Sequence, residues 1–343
     1  MQGRDGNDVN IVIVNDSPYF LSLLENIVKS NRFNVYAKFT NAYSALDFIY
    51  KNIEEIDVIL LDLELPDMDG ISLIERILSK RLIPIIVTTA YDDSWLASKV
   101  ISIGAYDFIS LSSTRLNDLN SLIISRIELA LMLKDMVKNK TKSIDKDNKG
   151  TNNSDLKIVV IGASTGAPKV VADILAYIPR DINACIMIVQ HMPKGFTEHY
   201  ANMLARRANI NVKVASDGDK IVKGLALVAP ADYHMIVENG YVRLDQGIKY
   251  AHVRPSVNVT MITAARHYGH NVIGVLLSGM GFDGALGMKV IKAYNGITIA
   301  QDEGTSVVYG MARVASNASA VDLSVPADKI AYEIVRALKY ANR

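Results

Sequence analysis

The sequence predicts an α/β protein of two doubly wound domains, and three observations predict it. Short apolar runs alternate with amphipathic segments along nearly the whole chain. Many runs are continuously apolar, as strands buried on both faces of a parallel sheet must be. The alternation breaks once, over residues 134–155, where Lys, Asn, Asp and Ser dominate and few side chains could enter a core. That stretch is expected to be a linker, its first turn continuing the preceding helix. The expected boundaries are therefore a first domain over 9–133, a linker over 134–155 and a second domain over 156–343.

In the first domain, Val9–Val14, Phe33–Phe39, Asp57–Leu61, Pro84–Thr89 and Tyr106–Ile109 are predicted strands. Between and after them, Ser17–Ser30, Asn41–Asn52, Gly70–Lys80, Asp93–Ile103 and Ser113–Leu133 carry helical periodicity. Five βα units give a five-stranded parallel sheet covered on both faces. The second domain repeats this grammar with strands at Ile158–Ile161, Cys185–Gln190, Val212–Val214, Leu225–Ala229, Val272–Leu277 and Ile297–Ala300. Gly240 and Gly247 flank a short hairpin near Tyr241–Leu244.

Composition narrows the function. With 343 residues, half of them hydrophobic, the chain can build two cores, and a net charge of +1 gives no basic surface for nucleic acid. The single cysteine, Cys185, lies inside an apolar run and is expected to be a buried strand residue. One cysteine suits a reducing compartment. With no 18-residue apolar stretch and no signal-peptide core at the N-terminus, a soluble cytoplasmic protein without membrane insertion is expected.

The residues with the clearest chemistry follow the first strand of the second domain. Lys157–Ile161 is apolar, Gly162-Ala163-Ser164-Thr165-Gly166 has a G-x-S-x-G frame, and Ala167–Ile178 has helical periodicity. A serine on a sharp strand-to-helix turn is lifted clear of the sheet edge, and the helix behind it aims N–H groups at any anion formed there. This is the setting of an acyl-transfer nucleophile; a phosphate-cradling or purely structural turn is the competing reading. The chain shows neither a P-loop lysine pattern nor G-x-G-x-x-G.

A nucleophilic serine needs a base, and all six histidines lie beyond residue 190. His191 directly follows the strand Cys185–Gln190 and so shares a strand C-terminus with Ser164, where ligands gather in open parallel sheets. His234 is the second candidate; His267 and His270 are expected at an exposed helix end, and His199 and His252 carry no cue. No Cys/His cluster or H-E-x-x-H suggests metal in this half. The orienting carboxylate should also sit at a strand end. Asp283, in the glycine-rich loop after Val272–Leu277, is one candidate, with capping of the following helix as its bland alternative. Asp302 and Glu303, after Ile297–Ala300, stay open as competitors.

Five blocks, taken together, resemble the signature of the chemotaxis protein-glutamate methylesterases. They are Gly162–Gly166, Val189-Gln190-His191-Met192-Pro193, Arg254-Pro255-Ser256-Val257, Leu277–Gly284 and Ala300–Met311. The resemblance implies hydrolysis of glutamate γ-methyl esters on the cytoplasmic helices of chemoreceptors, with deamidation of selected glutamines. It implies Ser164 as nucleophile, His191 as general base and acid, and Asp283 as orienting carboxylate. It assigns the backbone N–H of Met280 and the Thr165 hydroxyl to the oxyanion or to positioning His191, and requires no cofactor for the esterase. Ala167, Asn258 and Ala312 depart from the common pattern, where Gly, Asp and Pro are usual.

The first domain resembles a flavodoxin-like response-regulator receiver. Asp62 ends the third strand in Leu60-Leu61-Asp62-Leu63-Glu64-Leu65-Pro66, Asp16 follows the first strand, and Thr88 and Thr89 end the fourth. The resemblance implies Asp62 as phosphoacceptor for a chemotaxis histidine kinase. It also implies a Mg²⁺ ion held by Asp16, Asp62 and the backbone carbonyl of Glu64. Receivers normally carry two acids after the first strand and a lysine after the fifth. Here the residues are Asn15-Asp16 and Leu111-Ser112, and Phe108 fills the aromatic switch position. A receiver that restrains the esterase yet responds weakly to phosphorylation is the expectation. The alternative is a regulatory adaptor with a degenerate receiver and a vestigial esterase.

Overall fold

The computed structural model describes residues 9–139 and 156–340, apart from 82, 92, 113–115, 248, 251 and 252. The expected linker beyond residue 139, the start of the predicted helix at Ser113, and His252 lie outside the described residues. The chain divides into two compact units, residues 1–146 and 147–343.

The first unit runs β1 (Asn10–Val14), α1 (Pro18–Ser30), β2 (Asn34–Phe39), α2 (Ala42–Asn52), β3 (Val58–Leu61), α3 (Gly70–Lys80), β4 (Ile85–Thr89), α4 (Ser94–Ser102), β5 (Asp107–Ser110) and α5 (Leu116–Asn139). Its strands form one sheet in the order β2-β1-β3-β4-β5, every neighbouring pair parallel. β3 and β4 are buried at every residue, which explains their unbroken apolar sequence. Four helices start where a short polar side chain accepts from the first turn: Ser17, Asn41, Asp69 and Asp93. α5 runs on through residues 134–139, so the polar stretch begins as helix.

The second unit runs β6 (Lys157–Ala163), α6 (Pro168–Tyr177), β7 (Ala184–Gln190), α7 (Thr197–Ala205), β8 (Asn211–Val214), β9 (Leu225–Val228), β10 (His234–Glu238), β11 (Tyr241–Asp245), α8 (Val257–Tyr268), β12 (Val272–Leu276), α9 (Ala285–Ala293), β13 (Ile297–Gln301), α10 (Met311–Asn317), β14 (Leu323–Val325) and α11 (Ala327–Tyr340). Seven strands form a sheet in the order β14-β13-β12-β6-β7-β9-β8. All six pairings are parallel. β10 and β11 stand apart as an antiparallel hairpin. Its turn residues Asn239 and Gly240 have φ of 50° and 84°, the left-handed pair that a two-residue hairpin turn demands. The hairpin's first strand and the three-residue β14 are additions to the predicted elements. His234 consequently opens a strand.

Strand order fixes where chemistry can collect. From β6 the chain moves one way to β7, β9 and β8, and later the other way to β12, β13 and β14. The crevice outside the carboxyl ends of β6 and β12 is therefore a topological switch point. The first unit has its own switch point between β1 and β3.

Candidate active site

β6 is buried over its full length, and the chain leaves it through Ser164. The Ser164 N–H donates to Ser278 O at 3.1 Å, and its carbonyl accepts from the Gln190 amide at 3.0 Å and from Ala167 N–H at 3.2 Å. The serine's backbone is thus pinned to the ends of both neighbouring strands, β12 and β7. Gly166 closes the turn at φ 86°, and a Cβ there would run into Val307. Gly279 allows a second close approach, since a Cβ on it would lie 2.7 Å from Ser164 Cβ. Met280 follows directly; among the described residues its backbone N–H has no hydrogen-bond partner, and its side chain is exposed. α6 begins behind the turn with Pro168 and without a side-chain cap, leaving its first N–H groups uncommitted.

His191 is held where β7 ends, its N–H donating to Ala163 O at 2.9 Å. Its Nε2 lies 2.9 Å from Asp283 Oδ2. That contact commits Nε2 to a proton facing the carboxylate and leaves Nδ1 as the ring's acceptor. Among the described residues the Ser164 hydroxyl has no hydrogen-bond partner, so the serine–histidine contact is open in this state. The Thr165 hydroxyl is exposed and unpartnered among the described residues, while the Thr165 carbonyl accepts from Ser278 Oγ at 2.8 Å.

Asp283 is fully enclosed, and it does not cap its own helix. The N-cap of α9 is Gly284, at φ 97° and without a side-chain bond. The Asp283 carboxylate docks instead on the N-terminus of α8. Oδ1 accepts from Ser256 Oγ at 2.8 Å and Asn258 N–H at 3.0 Å, and Oδ2 accepts from Val257 N–H at 2.7 Å. Burial pushes the carboxyl up, but contact with His191 and the N–H groups of Asn258 and Val257 outweigh it. The group is held below the ordinary aspartate value, an anion at a helix N-terminus. The other carboxylate candidates drop out. Asp302 Oδ1 accepts from Thr305 N–H and hydroxyl at 3.0 and 2.6 Å, a local turn that occupies it, and Glu303 is exposed.

The remaining histidines separate cleanly. His234 is buried, and its Nδ1 accepts from Ser256 N–H at 3.2 Å, so it supports the α8 cap from beneath. His199, His267 and His270 are exposed. Cys185 is buried in β7 and its thiol is pushed up to about 12 by burial, which fits an inert core residue. Three groups escaped sequence reasoning. Gln190 bridges the carbonyls of Ser164 and His191, and Gln301 accepts from Ser278 N–H at 2.9 Å. Ser256 stood in the sequence only as part of the Arg254–Val257 block, whereas its hydroxyl reaches Asp283.

In the first unit, Asp62 is buried at the end of β3. Oδ1 accepts from Leu63 N–H at 2.7 Å and Oδ2 from the Asn15 side-chain amide at 2.9 Å. Burial raises its pKa to about 6, and the charge of Asp16 adds to this; the N–H groups of Glu64 and Leu63 and the Thr89 hydroxyl offset only part. Leu111, buried, stands where a receiver lysine would. Among the described residues no group of three or more His, Cys, Asp or Glu is placed to hold a metal ion. Of the trio expected for Mg²⁺, Asp62 keeps one oxygen on the Asn15 side-chain amide, whose own carbonyl accepts from Ser17 N–H. The unfolded carboxyl ionises near 3.8 and the folded one near 6, so stability conferred at low pH is lost as pH rises between them. In metal-free buffer, Asp62→Asn should therefore raise the first unit's Tm by about 5 °C at pH 7.5 and change it little near pH 4. Melts followed by Trp95, the only tryptophan, check this.

Comparison with known proteins identifies the family. Residues 159–334 match the family model for the CheB methylesterase, and residues 11–120 match the response regulator receiver domain. A protein-glutamate methylesterase/protein-glutamine glutaminase of Pyrococcus abyssi is 34% identical, over 97% of this chain and 95% of the relative. One from Anaeromyxobacter dehalogenans is 36% identical over 98% and 97%. The crystal structure of the Thermotoga maritima CheB methylesterase catalytic domain matches with TM-score 0.51 and 39% identity, covering 53% of this chain and 98% of that one. Seven parallel strands, a serine at the switch point and a histidine–aspartate pair beside it are thus features of a chain that belongs to the CheB methylesterase family.

Proposed function

We propose that this protein hydrolyses glutamate γ-methyl esters on the cytoplasmic helices of chemoreceptors, and deamidates selected glutamines there, under the restraint of its receiver. The observation that carries the reading is the His191–Asp283 pair, 2.9 Å apart, at the switch point that also holds Ser164 and the Met280 N–H, which has no partner among the described residues. An adaptor with a vestigial esterase has no observation in its favour. A cytoplasmic location follows from that substrate and suits a chain with one buried cysteine.

The chemistry follows from the atoms. His191 Nδ1 takes the Ser164 proton as Oγ attacks the γ-carbonyl carbon, and Asp283 holds the resulting imidazolium through Nε2–H. The oxyanion is stabilised by the Met280 N–H and the start of α6; loss of one such donor costs about 3 kcal/mol of barrier. Collapse breaks the C–O bond, and the Nδ1 proton leaves with methoxide as methanol. Water then attacks the acyl-enzyme carbonyl, giving its proton to Nδ1, and Ser164 Oγ recovers one as the glutamate is released. A glutamine amide takes the same path with ammonia as leaving group. No step needs a metal. The contact between Ser164 Oγ and His191 Nδ1 is proposed to form with substrate bound, as such contacts commonly tighten only then.

Two exposed apolar side chains stand beside the serine: Met280 follows the glycine that abuts Ser164, and Val307 covers Gly166. Such a pair suits the apolar stripe of an amphipathic receptor helix.

The receiver is proposed to take its signal from a chemotaxis histidine kinase at Asp62, though its response should be small. Leu111 offers no charge to a phosphoryl oxygen, and Asn15 already bonds the Asp62 carboxylate. A phosphoryl group then gains little differential energy between restrained and released states.

Five outcomes are expected. Ser164→Ala should abolish methanol release from methylated receptor while leaving the melting temperature unchanged; wild-type turnover in that variant would end the serine-hydrolase reading. Asp283→Asn should lower kcat by about 10³–10⁴, because the amide no longer holds the imidazolium. Asp302→Asn, which keeps an acceptor for Thr305, should change kcat less than about threefold, and the opposite ranking would move the orienting role to Asp302. The fragment 156–343 should be faster than the full chain, and beryllofluoride with Mg²⁺ should activate the full chain less than about threefold. A large activation that Asp62→Ala removes would show that Leu111 and Asn15 do not matter.

A further inference from the structure

α8 and α9 exchange their N-terminal caps. Asp283, just before α9, accepts from the first N–H groups of α8. Asn258, in the first turn of α8, returns the exchange: its Oδ1 accepts from Gly284 N–H at 3.0 Å and Gly287 N–H at 2.7 Å. Gly284 itself has no side chain with which to cap α9, so Asn258 supplies what that residue lacks. Asn258 is 1% exposed, and water cannot replace it freely.

One residue therefore grips Asp283 twice. The Asn258 backbone N–H holds the Asp283 carboxylate, and its side chain holds the backbone of the very next residue. The distance between the two grips sets where Oδ2 sits relative to His191. We propose that Asn258 is a positioning residue for the reaction: its amide side chain fixes the Asp283 backbone so that Oδ2 meets His191 Nε2. It touches neither substrate nor the reacting atoms and acts through Asp283. The inference rests on the acyl-transfer reading of Ser164, His191 and Asp283.

Its chemistry limits what can stand there. The residue must present one acceptor to two N–H donors within a buried space. An aspartate meets that requirement, since a carboxylate oxygen at a helix N-terminus accepts at least as well. Alanine leaves two buried N–H groups without a partner, and the α9 start must shift to find one.

The test uses the full chain and two independent readouts. The first is the rate of covalent labelling of Ser164 by a serine-directed fluorophosphonate, which needs no receptor. The second is methanol release from a methylated receptor fragment, resolved into kcat and KM. Asn258→Ala should slow labelling and lower kcat by about thirtyfold each, with KM within about twofold. The downfield proton resonance of His191 Nε2–H should be lost or broadened in the same variant. Asn258→Asp should restore labelling, kcat and the resonance to within about threefold of the parent. If Asn258→Ala fails to fold, Asn258→Ser, which keeps a shorter acceptor, takes its place and should fall between parent and zero. A folded Asn258→Ala that labels at the parent rate overturns the proposal. So does a loss that Asn258→Asp does not recover. A parent protein that labels readily but releases no methanol overturns the substrate reading alone, and the labelling comparison then decides the role of Asn258.

Discussion

A buried carboxylate is costly unless it is fully engaged, and the Asp283 anion is the constraint around which the second unit is organised. Its oxygens take a serine hydroxyl, two backbone N–H groups and a histidine N–H. Each charged contact contributes roughly 1.5–3 kcal/mol, and together they outweigh the cost of enclosure. Meeting that demand requires α8 to begin at this point and β12 to end there. It also requires β7 to deliver His191 from the other side of β6. The helix cap, the strand order and the base are thus three aspects of one electrostatic arrangement, with His234 beneath Ser256 as a further support.

Both units place their polar groups by the same topological means, yet the resulting sites differ in electrostatic balance. At the β6/β12 switch point the carboxylate is pulled below its ordinary pKa because donors surround it. At the β1/β3 switch point the carboxylate is pushed up to about 6, because burial and Asp16 outweigh the donors present. The first arrangement keeps a permanent anion to steady an imidazolium. The second leaves Asp62 ionising only near 6, with an asparagine amide on one oxygen and an aliphatic side chain where a cation would stand. That is a poor starting point for a switch worked by charge.

Much of this was legible in the sequence because it is local. The parallel strands show as unbroken apolar runs, and Ser164, His191 and Asp283 each follow one directly. Position in a doubly wound fold then places them at one edge. The missing acid at Asn15 and the missing lysine at Leu111 were equally plain, since each is a single residue at a strand end. β10 was not legible as a partner strand, because its five residues carry both a charged and an imidazole side chain. Asp283 as a cap for its own helix was a fair local reading that Gly284 overturns, by taking the N-cap position itself in a left-handed conformation.

What sequence could not supply was the exchange between α8 and α9, which depends on two segments about 25 residues apart meeting at their N-termini. Asn258 looked like a conservative departure from an acid. In the fold the departure changes little, because the amide oxygen accepts from Gly284 and Gly287 as a carboxylate oxygen would, both donors belonging to a helix N-terminus. What the position demands is one acceptor for two buried N–H groups, and that demand is set by where α9 begins. The side chain that completes the α9 cap is therefore also bonded to the residue directly after the His191 counter-charge.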